Sequence, residues 1–306
     1  MFLIHAVQKL IVGFEGTDPE HPCVQKMIRY GKEGKITGVI LFARNIYNHG
    51  QLKNLTKALK EAGLEVCSDE EGKRTAFKGV SRLYKLVGPV PTAYQMARSY
   101  SPQQAYVFYR NYARRLKELG ITMVFGPVLD LHCSQSQVIA KYERAYSKNP
   151  YTVCRYAKVF IKAFADEGIK TVVKHYPGHG LVAQDTHYEI TNITKTYQFK
   201  ESIPFRRMAR YTPYVMMGHL IDDTIDPNRE ASLSSIHYEK VYKMGYRFII
   251  TDDMDMGAMQ LKYQPIQCAI KKALHHGATV IVSNMPKAIR GFFVTPDFDL
   301  PEKLKE

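Results

Sequence analysis

The chain has 306 residues, of which 45% are hydrophobic and 24% are charged. This balance is that of an ordinary globular protein with a sizeable core, and it excludes a disordered, collagen-like or coiled-coil chain. The 43 Lys and Arg residues outnumber the 29 Asp and Glu residues and leave a formal net charge of +14. The bases are scattered along the chain without a basic tail, so they favour solvated helix faces over a nucleic-acid site.

The five cysteines, at positions 23, 67, 133, 154 and 268, are far apart and lack CxxC spacing. This usage is typical of a reducing compartment, in which thiols are buried as small hydrophobes. The N-terminal segment lacks the basic region and cleavage site of a signal peptide, and no apolar run reaches the roughly 18 residues of a membrane span. The sequence therefore predicts a cytoplasmic protein without a membrane partner.

Eight short apolar runs, rich in β-branched residues, recur along the chain and predict eight strands. They are Leu10–Phe14, Gly38–Phe42, Leu64–Cys67, Thr122–Phe125, Thr171–Val173, Val215–Met217, Phe248–Thr251 and Thr279–Val282. Most of them are continuously apolar rather than alternating, which is typical of parallel strands that are covered on both faces.

Helical patterns lie between these strands, with apolar residues three or four positions apart. They include Gln51–Ala62, Pro102–Leu119, Pro150–Glu167 and Ile236–Met244, and several end at a glycine, as helices often do. Eight strand-then-helix units predict an α/β fold, a (β/α)8 TIM-like barrel. We expect one catalytic domain over 1–306, with its core from about 10 to 284 and a short or irregular last helix. An open doubly wound sheet is the alternative, but the first strand lacks the GxGxxG turn.

Polar residues stand at the ends of the predicted strands, and in a barrel the carboxyl ends of the strands meet at one mouth. They are Glu15, Arg44, Asn45, Asp69, Asp130, Lys174, His175, His219, Asp252 and Asn284. A single polar residue in a loop needs no functional explanation. A Lys-His pair together with carboxylates at several strand ends favours an enzyme.

The segment 172–187, VVKHYPGHGLVAQDTH, is the most informative one. It brings Lys174 and His175 to the mouth and continues in a Pro-Gly-His-Gly turn. Asp185 and His187 are two residues apart, so the carboxylate can bind the imidazole, raise its pKa and let it hold and return a proton. An exposed histidine beside an ordinary turn is the structural alternative. The histidines of this segment fit no common zinc spacing, so no metal and no cofactor is expected.

The segment 248–258, FIITDDMDMGA, places Asp252 at the end of a strand. A carboxylate there can attack an anomeric carbon or stabilise a cationic transition state. It could equally bind a metal or cap the next helix. We expect Asp252 to carry the chemistry and Asp253 or Asp255 to be structural.

Further charged residues, Asp69, Arg82 and Arg144, offer acceptors and bidentate donors. Sugar hydroxyls require groups of this kind in a fixed geometry. Each of the three residues, taken alone, is more typical of an ordinary ion pair.

These segments together resemble glycoside hydrolase family 3, and within it the single-domain β-N-acetylhexosaminidases of bacterial cell-wall recycling. The shared motifs are GVILFARN (38–45), DEEG (69–72), GVSRL (79–83), FGPVLDL (125–131), ERAYSKNP (143–150), VVKHYPGHG with DTH (172–187), VMMGHL (215–220), ASLS (231–234) and IITDDMDMGA (249–258). A KH(F/Y)PGHG turn followed by D-(S/T)-H and then TDDMDM is highly specific. The resemblance covers the chain from Leu10 to about Asn284.

The resemblance implies a retaining, two-step hydrolysis of a terminal β-linked N-acetylglucosamine, without a metal or cofactor. Asp252 matches the family's nucleophile and His187 matches its acid/base, with Asp185 as the orienting partner. The residues that match contacts to the sugar's hydroxyls and N-acetyl group are Asp69, Arg82, Arg144, Lys174 and His175. The implied partner is a small carbohydrate, a muropeptide that carries N-acetylglucosamine on anhydro-N-acetylmuramic acid.

Two departures from the family pattern lie close to these residues. KRTAFK separates Gly72 from the motif that contains Arg82, and Leu181 stands where the family has Asp after PGHG. A non-catalytic sugar-binding relative and another β-glycosidase or phosphorylase of the family therefore remain alternatives. The sequence favours neither water nor phosphate as the acceptor, and it favours no oligomeric state.

Overall fold

The computed structural model describes residues 9–72, 83–182 and 189–284. Within these ranges the chain forms a closed barrel of parallel strands and a separate two-stranded sheet. The strands are β1 (Leu10–Val12), β2 (Gly38–Ile40), β3 (Glu65–Asp69), β4 (Met123–Val128), β5 (Lys170–Tyr176), β6 (Thr191–Asn192), β7 (Tyr214–Met217), β8 (Leu220–Ile221), β9 (Phe248–Asp253) and β10 (Thr279–Val282).

The barrel closes in the order β1-β10-β9-β7-β5-β4-β3-β2, and β6 pairs with β8 outside it. Closure is made by β1 and β10, which run parallel with Leu10 opposite Val280. Each of the eight predicted strands overlaps one strand of the barrel, so the predicted TIM-like barrel is confirmed.

Helices surround the barrel in the order expected for alternating strand and helix units. The described helices are α1 (Pro22–Lys32), α2 (His49–Glu61), α3 (Tyr84–Val87), α4 (Ala93–Ser99), α5 (Pro102–Glu118), α6 (Pro150–Asp166), α7 (Phe199–Met208), α8 (Ser235–Met244), α9 (Gly257–Lys262) and α10 (Gln267–His275). Local sequence explains their ends. Ser101 caps α5 by accepting the N–H of Gln104 at 3.2 Å, and α8 ends at Gly245 with a φ of 108°.

The continuous apolar strands are explained by two apolar layers. One layer fills the inside of the barrel and consists of Ile11, Ile40, Cys67, Met123, Phe125, Val172, Met216, Ile250 and Ile281. The other lies between the strands and the helices and includes Leu10 and Val12, which flank Ile11 and point the opposite way. A strand buried on both faces must be apolar at every position.

The predicted short or irregular last helix falls on residues that lie outside the described part of the chain. The extent of the single domain over 1–306 therefore remains a prediction. No helix in the described ranges is both long and apolar enough to cross a membrane.

Candidate active site

Charged side chains from three strands meet at the carboxyl-terminal mouth of the barrel. Asp69 is the last residue of β3, Lys174 and His175 lie near the end of β5, and Asp252 lies near the end of β9. Strands β3 and β5 are both neighbours of β4. This arrangement brings Asp69 within reach of Lys174, although 105 positions separate the two residues in the chain.

Lys174 is 2% exposed and binds two carboxylates. Its Nζ lies 2.5 Å from Asp69 Oδ1 and 2.5 Å from Glu71 Oε1. β3 ends at Asp69 and the chain bends at Glu71, which brings Asp69 and Glu71 to the same ammonium group while Glu70 lies on another side. Glu70 accordingly turns away from Lys174 and accepts a hydrogen bond from Tyr112 of α5.

Arg144 reaches the same place from the long segment between β4 and α6. Its guanidinium donates to Glu71 twice, from Nε to Oε2 at 2.6 Å and from Nη2 to Oε1 at 3.1 Å. Burial by itself would lower the pKa of Arg144, but the carboxylates of Glu71 and, more weakly, of Asp130 and Asp252 raise it. Arg144 is therefore a permanent cation within electrostatic reach of Asp252. We call Asp69, Glu71, Arg144 and Lys174 the mouth cluster.

His175 is held between Asp130 and Arg144. Its Nδ1 lies 2.7 Å from Asp130 Oδ2, and its Nε2 lies 3.1 Å from Arg144 Nη2. A guanidinium can only donate, so Nε2 accepts from Arg144 and the ring hydrogen lies on Nδ1, which donates it to Asp130. Burial would raise the pKa of Asp130, but His175 and His179 lower it overall. Asp130 is thus the charged acceptor that fixes this tautomer.

The turn 177–182 follows β5 and packs against the segment after β4. Asp130 accepts the backbone N–H of His179 at 2.8 Å. A Cβ on Gly180 would lie 2.1 Å from the backbone oxygen of Leu131, and Gly178 has a φ of +141° that L side chains rarely adopt. The two glycines of the Pro-Gly-His-Gly sequence therefore allow this close packing.

Asp252 is half-buried at the mouth, and its neighbours fix the end of β9. The backbone N–H of Asp253 donates to Asp252 Oδ1 at 2.9 Å. The ring of His219 lies 3.0 Å from the backbone oxygen of Asp253 and 2.7 Å from Ser232 Oγ. Because a carbonyl oxygen only accepts, His219 Nε2 carries the ring hydrogen and the Ser232 hydroxyl donates to Nδ1.

Asp253 and Asp255 bind backbone amides at the neighbouring strand end. Asp253 Oδ1 accepts the N–H groups of Asp255 and Ser283, both at 3.0 Å, and Asp255 Oδ2 accepts the N–H of Asn284 at 2.5 Å. Burial, and then the charge of Asp255, raises the pKa of Asp253 to about 7. These bonds tie the end of β9 to the end of β10, as expected of structural carboxylates.

The structure brings five of the predicted site residues to one mouth. They are Asp69, Arg144, Lys174, His175 and Asp252. Arg82, Asp185 and His187 lie outside the described residues, so their positions and roles remain predictions.

Two residues that organise the mouth were not among the predicted sugar contacts. Glu71 binds both cations of the mouth cluster, and Asp130 binds His175 and the turn after β5. Asp130 carried the signal of a polar residue at a strand end. Glu71 lies in a bend beyond the end of β3, and nothing but its place in the DEEG motif pointed to it.

The described part of the site is suited to a ligand rich in hydroxyl groups. The side chain of Asp69 is 26% exposed, so it can accept a ligand's hydrogen bonds while Lys174 holds it in place. Asp252 supplies a half-buried carboxylate within electrostatic reach of Arg144, and such a group can act as a nucleophile or stabilise positive charge. Among the described residues, no group of three His, Cys, Asp or Glu could hold a metal ion.

Residues 22–291 match the profile of the Glycosyl hydrolase family 3 N terminal domain. The chain is 31% identical over 285 residues to a beta-hexosaminidase of Nitrosospira multiformis, a match that covers 87% of this chain and 78% of that protein. It is similar to the structure of NagZ from Neisseria gonorrhoeae in complex with N-trifluoroacetyl-D-glucosamine, with 25% identity, a TM-score of 0.80 and coverage of 96% and 86%. A family 3 beta-N-acetylglucosaminidase from Paenibacillus is a longer chain, of which this one covers 56%, with 25% identity, a TM-score of 0.79 and 94% of this chain aligned. The chain therefore belongs to glycosyl hydrolase family 3.

Proposed function

We propose that the protein is a retaining exo-β-N-acetylglucosaminidase that removes terminal β-linked N-acetylglucosamine from muropeptides. The beta-hexosaminidase of Nitrosospira multiformis and the NagZ structure support a β-N-acetylglucosaminidase activity. The observation that carries the proposal is the mouth cluster beside Asp252. It supplies fixed donors and acceptors for sugar hydroxyls, and one of its cations, Arg144, interacts electrostatically with Asp252, which we assign as the nucleophile.

In the first step, a carboxylate oxygen of Asp252 bonds to the anomeric carbon while the bond from that carbon to the leaving oxygen breaks. His187, oriented by Asp185, gives its proton to the leaving oxygen. The product is a covalent glycosyl ester on Asp252. The cation of Arg144 favours the negative charge that Asp252 needs for this attack.

In the second step, His187 takes a proton from water, and the hydroxide attacks the anomeric carbon. The ester bond breaks and Asp252 leaves as a carboxylate, so its charge and the proton on His187 are restored. Two displacements at one carbon return the β configuration. An Asp-His pair replaces the second carboxylate that most glycosidases use as acid/base.

The remaining site residues bind the sugar. Asp69 accepts from a hydroxyl, while Lys174 and Arg144, with Arg82, bind the hydroxyls and the N-acetyl group. The tautomer of His175 leaves no hydrogen on Nε2, because that atom accepts from Arg144. His175 therefore acts by holding Arg144 in position while Asp130 holds His175.

The test is hydrolysis of aryl N-acetyl-β-glucosaminides, with the anomeric configuration of the first product followed by NMR, with and without phosphate. We expect β-N-acetylglucosamine in both conditions and no turnover by Asp252→Ala. His187→Ala should slow a substrate with a poor leaving group about 100-fold or more, and an activated aryl glycoside much less, since that leaving group needs little protonation. Equal losses on the two substrates would show that His187 is not the acid.

Binding of N-acetylglucosamine without turnover would indicate a sugar-binding relative, and turnover only with phosphate would indicate a phosphorylase.

The muropeptide preference needs its own comparison. We expect a higher kcat/KM for N-acetylglucosaminyl-anhydro-N-acetylmuramyl peptides than for chitobiose, and the net charge of +14 supports attraction of an acidic peptide. Such attraction weakens with salt. If the two kcat/KM values are nearly equal at low salt, the protein has no preference for muropeptides and is a general β-N-acetylglucosaminidase. A cytoplasmic location remains a prediction.

A further inference from the structure

Glu201 lies in the first turn of α7 and packs against the turn 177–182. It is 2% exposed. A Cβ on Gly178 would come within 3.0 Å of Glu201 Cβ and 3.1 Å of Glu201 Oε1. The glycine thus leaves the space that the buried carboxyl group fills.

This carboxyl group has few partners for a buried acid. Oε2 accepts the N–H of Gln198 at 3.3 Å. Oε1 makes no hydrogen bond of ordinary geometry to a described residue, so the amides of Gly180 and Leu181 act on the carboxylate only through their partial positive charge. The ion pairs formed by the described residues do not include Glu201. A buried carboxylate without a cation is unfavourable for stability, so packing alone would be served as well by glutamine.

The surroundings of the carboxyl group set its charge. Burial raises the pKa of Glu201 to about 7, and the charge of Asp130, from the segment after β4, acts in the same direction. Backbone amides act against them, those of Gln198 at the start of α7 and of Gly180 and Leu181 in the turn. Tyr197, just before α7, also interacts with Glu201: its pKa is raised to about 12 by burial and then by Glu201.

We propose that Glu201 is a positioning residue, whose negative carboxylate attracts the amides of Gly180 and Leu181 and thereby fixes the turn 177–182. The turn leads directly into the segment that contains Asp185 and His187. The inference rests on the proposed function, since it assigns proton transfer to His187. When Glu201 takes up a proton, its attraction for the two amides is lost, so the turn is held less firmly below neutral pH.

Glu201→Gln in the full chain tests this role, because glutamine keeps the volume and one acceptor but not the charge. We expect kcat/KM for chitobiose, whose leaving group must be protonated, to fall about tenfold, since small displacements of a catalytic group are costly. For an activated aryl glycoside we expect less than a twofold change. The acidic limb near pH 7 in the chitobiose profile should also disappear.

Glu167→Gln is the matched control, because Glu167 is 8% exposed and binds Arg110 at 2.8 Å and Arg114 at 3.2 Å on the outer helices. The control should keep the substrate ratio and pH profile of the parent protein. If Glu201→Gln slows both substrates equally, or keeps the acidic limb, Glu201 is only a packing residue and the inference is overturned.

Amide hydrogen exchange across 177–182, corrected for intrinsic rates, provides a measurement that does not depend on activity. Between pH 8 and pH 6 the ionised fraction of a group with a pKa of about 7 falls about tenfold. Protection of the His179 amide, which the turn holds on Asp130, should fall with it. Glu201→Gln should show the low protection at both pH values. If the protein hydrolyses no glycoside but shows this pattern of exchange, the proposed function is wrong, while the role of Glu201 in positioning the turn 177–182 is supported. Protection independent of pH in an active enzyme overturns the inference alone.

Discussion

Glu71→Gln tests whether the mouth cluster depends on one buried charge. The side chain of Glu71 is 1% exposed and lies 2.5 Å from Lys174 and 2.6 and 3.1 Å from Arg144. Removing one partner of a buried ion pair costs about 3–5 kcal/mol, because the opposite charge stays buried. Lys174 keeps Asp69 as a partner, so we expect the lower end, a loss of about 3 kcal/mol from the free energy of unfolding.

The loss is measured by urea and thermal unfolding followed by circular dichroism, since the chain has no tryptophan. At about 2 °C per kcal/mol for a chain of this size, Tm should fall by about 6 °C. Glu61→Gln is the control, because its carboxylate lies 3.9 Å from Lys57 with 66% of the side chain exposed. An exposed pair of this kind contributes about 0.3–0.5 kcal/mol.

A second variant separates unpaired charge from lost packing. If Glu71→Gln is costly because Arg144 is left with an uncompensated charge, then adding Arg144→Met should cause no further loss of stability. Two losses that simply add would show that the residues contribute independently. A Glu71→Gln protein as stable as Glu61→Gln would refute the assignment of Glu71 as the common partner of the two cations.

Three further predictions follow from single side chains. Asp69→Asn removes the charge of a carboxylate whose side chain is 26% exposed, so kcat/KM for an aryl N-acetyl-β-glucosaminide should fall about 10- to 100-fold. The change in Tm should be smaller than that of Glu71→Gln. An unchanged kcat/KM would show that Asp69 does not contact the sugar. Asp253 has a pKa of about 7 when folded and about 3.9 when unfolded, so its ionisation opposes folding as pH rises through this window. The Tm of Asp253→Asn minus the Tm of the parent protein should therefore increase between pH 5 and pH 8. A difference that stays constant with pH would contradict the raised pKa. Burial lowers the pKa of His237 to about 4, and neither ring nitrogen has a hydrogen-bond partner among the described residues, so the parent protein loses stability as pH falls below about 6.5. His237→Phe should lessen the fall in Tm between pH 7 and pH 5, and equal falls in both proteins would exclude His237 as its cause.

The barrel strands could be predicted because burial on both faces leaves a plain signal in the sequence. In β1, Ile11 points into the barrel while Leu10 and Val12 point to the helices, so all three positions are apolar. The same reasoning located the other seven strands to within a few residues. It could not give their ends, since β5 continues through polar Lys174 and His175 and β9 continues to Asp253.

Helix α7 and the small sheet left weaker signals. The buried face of α7 contains Glu201, Ser202 and Pro204, which interrupt the apolar spacing that marks a helix. Strands β6 and β8 have two residues each and exist because tertiary contacts bring Thr191 opposite Leu220. Neither pattern can be recognised in a window of neighbouring residues.

The site residues likewise differ in how far the sequence could predict them. Asp69, Lys174 and Asp252 were predictable because strand ends converge at the mouth of a barrel. Arg144 lies far along the chain from any strand, so its charge marked it only as a possible bidentate donor, and the resemblance to the family was needed to assign it to the sugar site. Its place depends on the loop before it, where Glu143 adopts a φ of 54° and accepts a hydrogen bond from Thr92 at 2.8 Å. Such a fold of the chain has no local signature.

The charge at the mouth differs in sign from the charge of the whole chain. The described mouth residues supply four carboxylates, Asp69, Glu71, Asp130 and Asp252, against the two cations Lys174 and Arg144. Negative charge there stabilises the cationic transition state of glycoside cleavage. In the second step of the proposed mechanism Asp252 is held as an ester, so three carboxylates, Asp69, Glu71 and Asp130, remain against Lys174 and Arg144. This smaller excess of negative charge still opposes the approach of a phosphate dianion to the anomeric carbon, whereas neutral water is not repelled. We therefore propose that the net charge of +14 acts on long-range attraction of an acidic substrate, and that the local carboxylates favour water as the acceptor in the second step.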